Sequence, residues 1–190
     1  MLTSTSPRRR LMLQQMGLDF EVAAAVLDDG PLAPGAATSP RHWVAALAYL
    51  KAAAVARADP GATILGADTL CSMEGRIIGQ ARDAAHAAAI IEGFENRDHH
   101  VLTGVALLSP ENRLLLTDVA VVRVGRIGPE RIDEYVSSGD WRGKAGAYNL
   151  SERLEAGWPL EVTGDPGTVM GLPIRRLEPL LEPFKSERDA

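Results

Sequence analysis

The chain has 190 residues, a formal net charge of −5 and 46% hydrophobic residues, which is typical of one soluble globular unit with a substantial core. The negative charge argues against a nucleic-acid-binding module, whose surface would be basic. No uninterrupted apolar segment reaches membrane-spanning length, and the single cysteine, Cys71, excludes an internal disulfide framework. We therefore expect a soluble cytoplasmic protein with neither a nucleic acid nor a membrane as its partner.

Helix and strand signals are mixed along the chain and predict an α/β fold. A short strand at 1–3 precedes a helix with Ser6 as its N-cap and Pro7 at its first position, and Ser39-Pro40 begins the longest helix. A hairpin among the later strands indicates a sheet that is not purely parallel. The remaining predicted elements are strands at 20–22, 62–67, 70–73, 76–78, 101–108 and 113–124, helices at 84–94, 129–136 and 174–181, a loop at 28–39, and a frayed tail at 182–190.

The segment Gly66-Ala67-Asp68-Thr69 follows an apolar run of strand length. We place Asp68 at the carboxyl end of this strand, where α/β sheets commonly bind ligands. A buried carboxylate there can hold a divalent cation or orient a water against a phosphoryl group. It can equally cap the next element or accept hydrogen bonds from turn amides, and the residues alone leave both interpretations open.

Three basic features of the sequence are each compatible with binding an anionic ligand and with a charge that faces solvent. Arginines at 8–10 stand in the first turn of a helix, where they oppose the helix dipole unless an anion such as phosphate is bound. Lys144 lies on a glycine-rich loop that lets backbone approach a ligand. Lys51 lies near the edge of the apolar face of the long helix. For each of them, a solvated charge is the alternative interpretation.

Several short segments, in this order along nearly the whole chain, resemble the Maf family of nucleoside triphosphate pyrophosphatases, once described as septum-formation proteins. The resemblance implies one Maf-like domain over 1–190, with a two-lobed α/β fold related to the inosine triphosphatases, a long curved mixed sheet and a cleft between the lobes. The matching segments are Ser4-Thr5-Ser6-Pro7-Arg8-Arg9, Lys51-Ala52, Leu65-Gly66-Ala67-Asp68-Thr69, Val101-Leu102-Thr103-Gly104-Val105, Lys144-Ala145-Gly146-Ala147-Tyr148 and Gly171-Leu172-Pro173.

The same resemblance implies an activity and the residues that carry it. The reaction would be hydrolysis of a (d)NTP to its NMP and pyrophosphate, with Mg²⁺ or Mn²⁺ as cofactor and a homodimer as the assembly. Asp68 would be the general base or a metal-linked carboxylate, and Thr69 would help to choose the base. The side chains implied to bind the triphosphate are Ser6, Arg8, Lys51 and Lys144.

The chain also departs from the family pattern. Gln80 stands where a phosphate-binding lysine is usual, and Ser151 stands where pyrimidine-type members have a glutamine that bears on specificity. Asp29 replaces the usual glutamate of an acidic loop and is predicted, with Asp68, to bind the metal. These changes predict reduced activity or altered base choice. The alternative is a Maf-like protein that binds nucleotides with little catalysis and acts in cell-division control. The arginines considered as replacements for the lost charge are Arg82, Arg142 and Arg153.

Overall fold

The computed structural model describes residues 1–23, 32–35 and 38–185. Within these ranges, helices and strands alternate in a mixed α/β arrangement, which confirms the predicted fold class. The elements are β1 (Leu2–Thr3), α1 (Pro7–Gln15), α2 (Pro40–Ala56), β2 (Ile64–Met73), β3 (Arg76–Ile78), α3 (Ala84–Phe94), β4 (Arg97–Leu108), β5 (Arg113–Val124), α4 (Pro129–Ser138), α5 (Leu150–Glu155), β6 (Leu160–Thr163), α6 (Pro166–Met170) and α7 (Ile174–Leu181).

The six described strands form one mixed sheet, with β2, β4, β5 and β6 as antiparallel neighbours. Two short strands share the other edge of β2. β1 runs parallel to it and pairs with Leu65 and Gly66, whereas β3 is antiparallel and pairs with Cys71, Ser72 and Met73. Within the described part of the chain, residues 67–70 therefore have no strand partner on that edge. This gap leaves part of the backbone edge of a long strand without a partner strand, beside the partly buried side chains of Asp68 and Thr69.

Helix α2 packs closely against one face of the sheet because two neighbouring positions lack side chains. A Cβ on Gly66 would lie 2.7 Å from the carbonyl oxygen of Ala48, and a Cβ on Gly104 would lie 2.4 Å from that of Val44. Any larger residue would push the helix outward, since real Cβ atoms do not approach other atoms so closely. The two glycines flank Asp68, one along β2 and one across on β4.

Two hydrophobic cores lie on the opposite face of the sheet. One contains Leu65 of β2 with residues of α1 and α7, and the other contains Cys71 of β2 with residues of α3 and α4. Between them runs a row of polar side chains from three adjacent strands, in which Thr69 is opposite Thr103 and Thr103 is opposite Asp118. This polar row separates the two hydrophobic cores.

The main error of the sequence prediction lies in β2. The strands expected at 62–67 and 70–73 are one continuous strand, so Asp68 lies in its middle and not at its carboxyl end. Gly66 suggested a strand end, but its role is to admit α2. The segment at 20–22 contributes only a single bridge between Leu2 and Val22. The short elements α5, β6 and α6 were not predicted, because each has too few residues to show a period.

The tail predicted at 182–190 and the loop predicted at 28–39 are each described only in part. The tail expected from residue 182 begins with a 3-10 turn at Glu182–Phe184, and Lys185 forms a β-bridge with Leu18. Residues 186–190 and half of the loop predicted at 28–39 lie outside the described residues. Among the described helices, none combines the length and the apolar character that crossing a bilayer requires.

Candidate functional site

The gap in the edge of β2 brings Asp68 together with a basic side chain from α2. Lys51 Nζ donates a hydrogen bond to Asp68 Oδ1, and both side chains are mostly buried. α2 reaches this point because Gly66 and Gly104 let it approach the sheet. The Lys51 ammonium is thus held against a carboxylate and does not extend into solvent as a helix-edge lysine would.

Among the described residues, no hydrogen bond engages the second carboxylate oxygen of Asp68. Asp68 therefore neither caps a helix nor accepts turn amides, which were the structural alternatives for this residue. A carboxylate with one oxygen fixed by an ammonium and the other unengaged can accept a proton from water or ligate a hard cation.

The second basic group at this edge is Arg9, which the sequence analysis did not select. Its guanidinium donates to the carbonyl oxygens of Gly171 at 2.9 Å and Ala67 at 3.0 Å. It also donates to Thr69 Oγ1 at 2.9 Å and to Ser4 Oγ at 3.2 Å. The guanidinium of Arg9 thus links the N-terminal turn, the unpaired edge of β2 and the C-terminal segment by hydrogen bonds.

The charges of Arg9 and Asp68 interact, so the two residues belong to the same site. Desolvation lowers the pKa of Arg9, the negative charge of Asp68 opposes that effect, and the neighbouring Arg8 adds to it. Arg8 is half-buried, and its Nε has no hydrogen-bond partner among the described residues. Ser6 occupies the N-cap position of α1, but its side chain makes no capping hydrogen bond. Among the described residues, the opening turn of α1 therefore holds a donor, Arg8 Nε, without a hydrogen-bond partner, next to the arginine that interacts with Asp68.

The polar row on the far side of β2 is joined by hydrogen bonds into one network. Thr69 Oγ1 lies 2.9 Å from both Arg9 Nη2 and Thr103 Oγ1. Thr103 Oγ1 donates to the carbonyl oxygen of Thr168 at 2.7 Å, and Thr168 Oγ1 donates to Asp118 Oδ2 at 2.5 Å. Because Thr103 and Thr168 are fully buried, water cannot replace these partners.

The glycine-rich loop that carries Lys144 borders the other end of the gap. Gly146 N–H donates to the carbonyl oxygen of Gly79 at 3.1 Å, and Gln80 forms a β-bridge with Ala145. A Cβ on Gly146 would lie 2.6 Å from Cys71 Sγ, so glycine is required where this loop crosses β2. The loop and the segment after β3 are therefore fixed to each other.

Lys144 is not solvated, contrary to the usual state of a lysine on a loop. Its Nζ donates to Glu152 Oε2, and the other oxygen of Glu152 accepts from Asn149 Nδ2 at 2.5 Å. Next to Glu152, Ser151 Oγ lies 3.4 Å from Met170 Sδ in the segment that leads to Gly171. The loop lysine therefore already has an internal carboxylate as its counter-ion.

Comparison with known proteins identifies the chain's family. The family model described as Maf-like protein matches residues 1–184. The chain belongs to the Maf family. A relative from Symbiobacterium thermophilum named dTTP/UTP pyrophosphatase is 38% identical over 183 residues, covering 96% of this chain and 92% of the relative. Relatives of the same name from Bacillus cytotoxicus and Caulobacter vibrioides are 36% and 38% identical and cover 97% and 91% of this chain.

Two of the three arginines considered as substitutes for the missing Maf lysine are engaged elsewhere. The guanidinium of Arg153 lies 4.3 Å from the centre of the Tyr135 ring, and that of Arg142 lies 4.8 Å from the centre of the Trp141 ring. Both stack on aromatic surfaces of the core around α4. Arg82 is exposed in the segment after Gln80 and is the remaining candidate of the three.

The metal ligands expected of a Maf protein are only partly within the described residues. Asp68 is described, whereas Asp29 lies in the range 24–31, which the structure does not describe. Within the described ranges, no three acidic, histidine or cysteine side chains come together in a metal-binding group. A three-residue group is not required for Mg²⁺ or Mn²⁺, because such cations are commonly held by one or two carboxylates together with substrate phosphates and waters.

Three residues of this Maf site were missed by the sequence analysis. Arg9 adjoins Arg8 in the matching segment, and only the direction of α1 decides which of them turns inward. Thr103 lies within the matching segment at 101–105 and needs the β2–β4 register to place it opposite Thr69. Glu152 gave no signal of its own, since nothing in its sequence neighbourhood predicts an ion pair with Lys144.

Proposed function

We propose that this protein is a metal-dependent nucleoside triphosphate pyrophosphatase that converts dTTP or UTP to the monophosphate and pyrophosphate. The observation that carries the proposal is the Lys51–Asp68 pair at the unpaired edge of β2, beside the arginines that open α1. The family match and the names of the relatives support the same reaction.

Asp68 is proposed as the general base. Its unengaged oxygen takes a proton from water while the water oxygen forms a bond to the α-phosphorus. The bond from that phosphorus to the bridging oxygen breaks, and pyrophosphate leaves with the bonding electrons. Lys51 keeps the carboxylate oriented through its hydrogen bond to Oδ1.

The departing pyrophosphate requires positive charge, and the cleft supplies it from two sides. Arg8 has a donor with no hydrogen-bond partner among the described residues at the start of α1, where the helix dipole also favours an anion. Lys144 lies on the loop across the gap and would exchange Glu152 for a phosphate oxygen. Preorganised cations of this kind stabilise the charge that develops as the leaving group departs.

A divalent cation, Mg²⁺ or Mn²⁺, is proposed as cofactor, with Asp68 and Asp29 as its protein ligands. When bound, it would neutralise phosphate charge and polarise the phosphoryl oxygens. The fit rests on the second oxygen of Asp68, which no hydrogen bond from the described residues engages, and on the hard character of carboxylate and phosphate ligands. A homodimer and a cytoplasmic location are proposed on the family resemblance.

The decisive experiment is a substrate panel. We expect pyrophosphate release from dTTP and UTP in the presence of Mg²⁺, Mn²⁺ or Co²⁺, and much slower release from ATP, GTP and CTP. Each assay measures the nucleotide product and pyrophosphate separately, because release of inorganic phosphate alone would indicate a different cleavage. Absence of pyrophosphate release from every nucleotide and metal would refute the proposed activity.

A binding protein with little catalysis is the second candidate, and Gln80 favours it. This residue is fixed by its bridge to Ala145 beside the Lys144 loop, yet it contributes no charge there. In this case nucleotides would raise the melting temperature without being hydrolysed, since a ligand that binds only the native state stabilises it.

The substitution Gln80→Lys tests how much the neutral amide at position 80 lowers the catalytic rate. We expect kcat to rise by about 10- to 100-fold, because one added cation beside the loop would stabilise the leaving pyrophosphate. Steady-state kinetics with dTTP and UTP measure the change. Gln80→Met is the matched control with similar length and no charge. If the lysine variant gains no more than the methionine variant, residue 80 does not contact the phosphates.

A further inference from the structure

The hydrogen-bond network of the polar row has a direction that follows from counting protons. Arg9 can only donate, so Thr69 Oγ1 accepts its hydrogen bond. Thr103 has one hydroxyl proton, which it gives to the carbonyl oxygen of Thr168 at 2.7 Å. Thr103 Oγ1 must therefore be the acceptor in its 2.9 Å contact with Thr69.

This direction leaves Thr69 with no proton to offer a ligand. Its hydroxyl hydrogen points to Thr103, one lone pair receives Arg9, and one acceptor position is left. Thr69 is only partly buried, whereas Thr103 is fully buried. The accessible end of the row is thus an acceptor toward any group that enters the cleft.

The reverse direction is disfavoured by the burial of the row. If Thr103 donated to Thr69, the carbonyl oxygen of Thr168 would lose its short hydrogen bond. The contact left to that carbonyl in the described structure is a 3.3 Å bond from the Gly171 amide, which is shared with the carbonyl of Gly167. A buried carbonyl that loses its partner is costly, so the network stays in the stated direction.

We propose that Thr103 is a positioning residue that makes the Thr69 hydroxyl an obligate acceptor, so that the cleft selects a base presenting a ring N–H. Uracil and thymine present such a donor at N3, whereas cytosine has a lone pair at the same position. This inference rests on the proposed function, because it assumes a nucleotide in the cleft. The inference gives a chemical reason for preferring uracil and thymine to cytosine. It assigns that preference to Thr103, a buried residue that cannot contact the base.

The substitution Thr103→Val tests the inference with almost no change of shape. Valine removes the acceptor, so the Thr69 proton becomes available to cytosine N3. We expect the ratio of kcat/KM for UTP to that for CTP to fall by at least about 10-fold, with kcat/KM for CTP rising in absolute terms. Loss of packing alone would lower both values and would not raise either.

Two matched variants complete the design. Thr103→Ser keeps the hydroxyl and is expected to retain the wild-type ratio. Thr117→Val makes the same substitution on β5 at a residue whose hydroxyl contacts only the Arg41 carbonyl, at 3.4 Å, in the described structure. It too is expected to leave the ratio unchanged. The proposal would be overturned if Thr103→Val left the ratio of kcat/KM for UTP to that for CTP unchanged. It would also be overturned if Thr103→Ser lowered that ratio as much as Thr103→Val does.

Binding separates this inference from the proposed activity. Thermal shifts with UTP and CTP are measured for wild type and Thr103→Val, and they need no turnover. A UTP preference that disappears in the valine variant supports the inference even if the protein hydrolyses nothing. 3′-Deoxyuridine triphosphate is included because a sugar hydroxyl is another donor. If that analogue binds much more weakly while UTP and CTP bind alike, Thr69 receives the sugar and the ring proposal is wrong.

Discussion

Replacing Asp68 by asparagine is expected to lower kcat for dTTP and UTP by about 10³-fold, because general-base assistance contributes about 10²- to 10⁴-fold. The amide keeps the shape of the carboxylate and its carbonyl oxygen can still accept from Lys51, but it cannot take a proton from water. Initial rates of pyrophosphate release measure the effect. The thermal shift caused by the nucleotide is measured in parallel and should persist, since the phosphate-binding cations remain.

The matched control is Asp98→Asn. Asp98 is exposed on β4 and forms a surface ion pair with Arg123 at 3.1 Å, so the same chemical change there should leave kcat within about twofold. If Asp68→Asn retained near wild-type turnover, the carboxylate at the gap would not be the base. The proposed mechanism would then be wrong even if the enzyme were active.

Patterns within a short stretch of sequence predicted most of the fold. The Asp83 cap and the apolar spacing after it place α3 correctly, and the turn at 109–112 separates β4 from β5 as expected. These features depend on residues a few positions apart, whose capping and turn preferences act locally. α5, β6 and α6 escaped prediction because their stability comes from packing on the rest of the molecule.

The candidate site was predictable in its residue types but not in its arrangement. The sequence indicated that Asp68 needs a partner, yet it placed the residue at a strand end. The structure instead has β1 and β3 sharing one edge of β2, which opens the gap at 67–70. Which strands meet on an edge depends on register over the whole chain, and no local pattern carries that information.

The same dependence on the whole fold explains why the sequence did not distinguish Arg8 from Arg9. Arg8 and Arg9 are adjacent and identical in chemistry, and one helical step of about 100° decides which of them faces the sheet. The register of α1 places Arg9 against the carbonyl oxygens of Ala67 and Gly171. Two of its four acceptors are backbone oxygens, which carry no signature in a sequence.

Lowering the pH from 7.5 to 5.0 is expected to reduce the free energy of unfolding by about 2 kcal/mol through His99 alone. Its ring is fully buried, stacks on Phe94 with ring centres 3.9 Å apart, and has a 2.9 Å hydrogen bond with Tyr148 Oη. Burial lowers the pKa of His99 to about 4, and the nearby His100 adds to this effect. Chemical denaturation at the two pH values measures the loss.

The sign follows from which state binds the proton. In the unfolded chain the pKa of histidine is about 6.5, so the unfolded state takes up a proton as the pH falls below that value, while the native state stays neutral until about pH 4. Stability is therefore complete above pH 6.5 and is lost between pH 6.5 and 4. Because other groups also titrate there, the test is the difference between variants and not the total slope.

His99→Gln removes this titration and should reduce the pH dependence by the same 2 kcal/mol or so, whatever its effect on stability at pH 7.5. His100→Gln is measured as the comparison, since that exposed neighbour is a smaller cause of the His99 shift than burial, and it should reduce the pH dependence by less than His99→Gln does. The site is linked to this result through Tyr148, which follows the Lys144 loop and is anchored by His99. In the folded protein we expect acid to loosen that anchor only near and below pH 4, where the native imidazole takes up its proton. Equal slopes in His99→Gln and wild type would mean that the buried imidazole does not resist protonation.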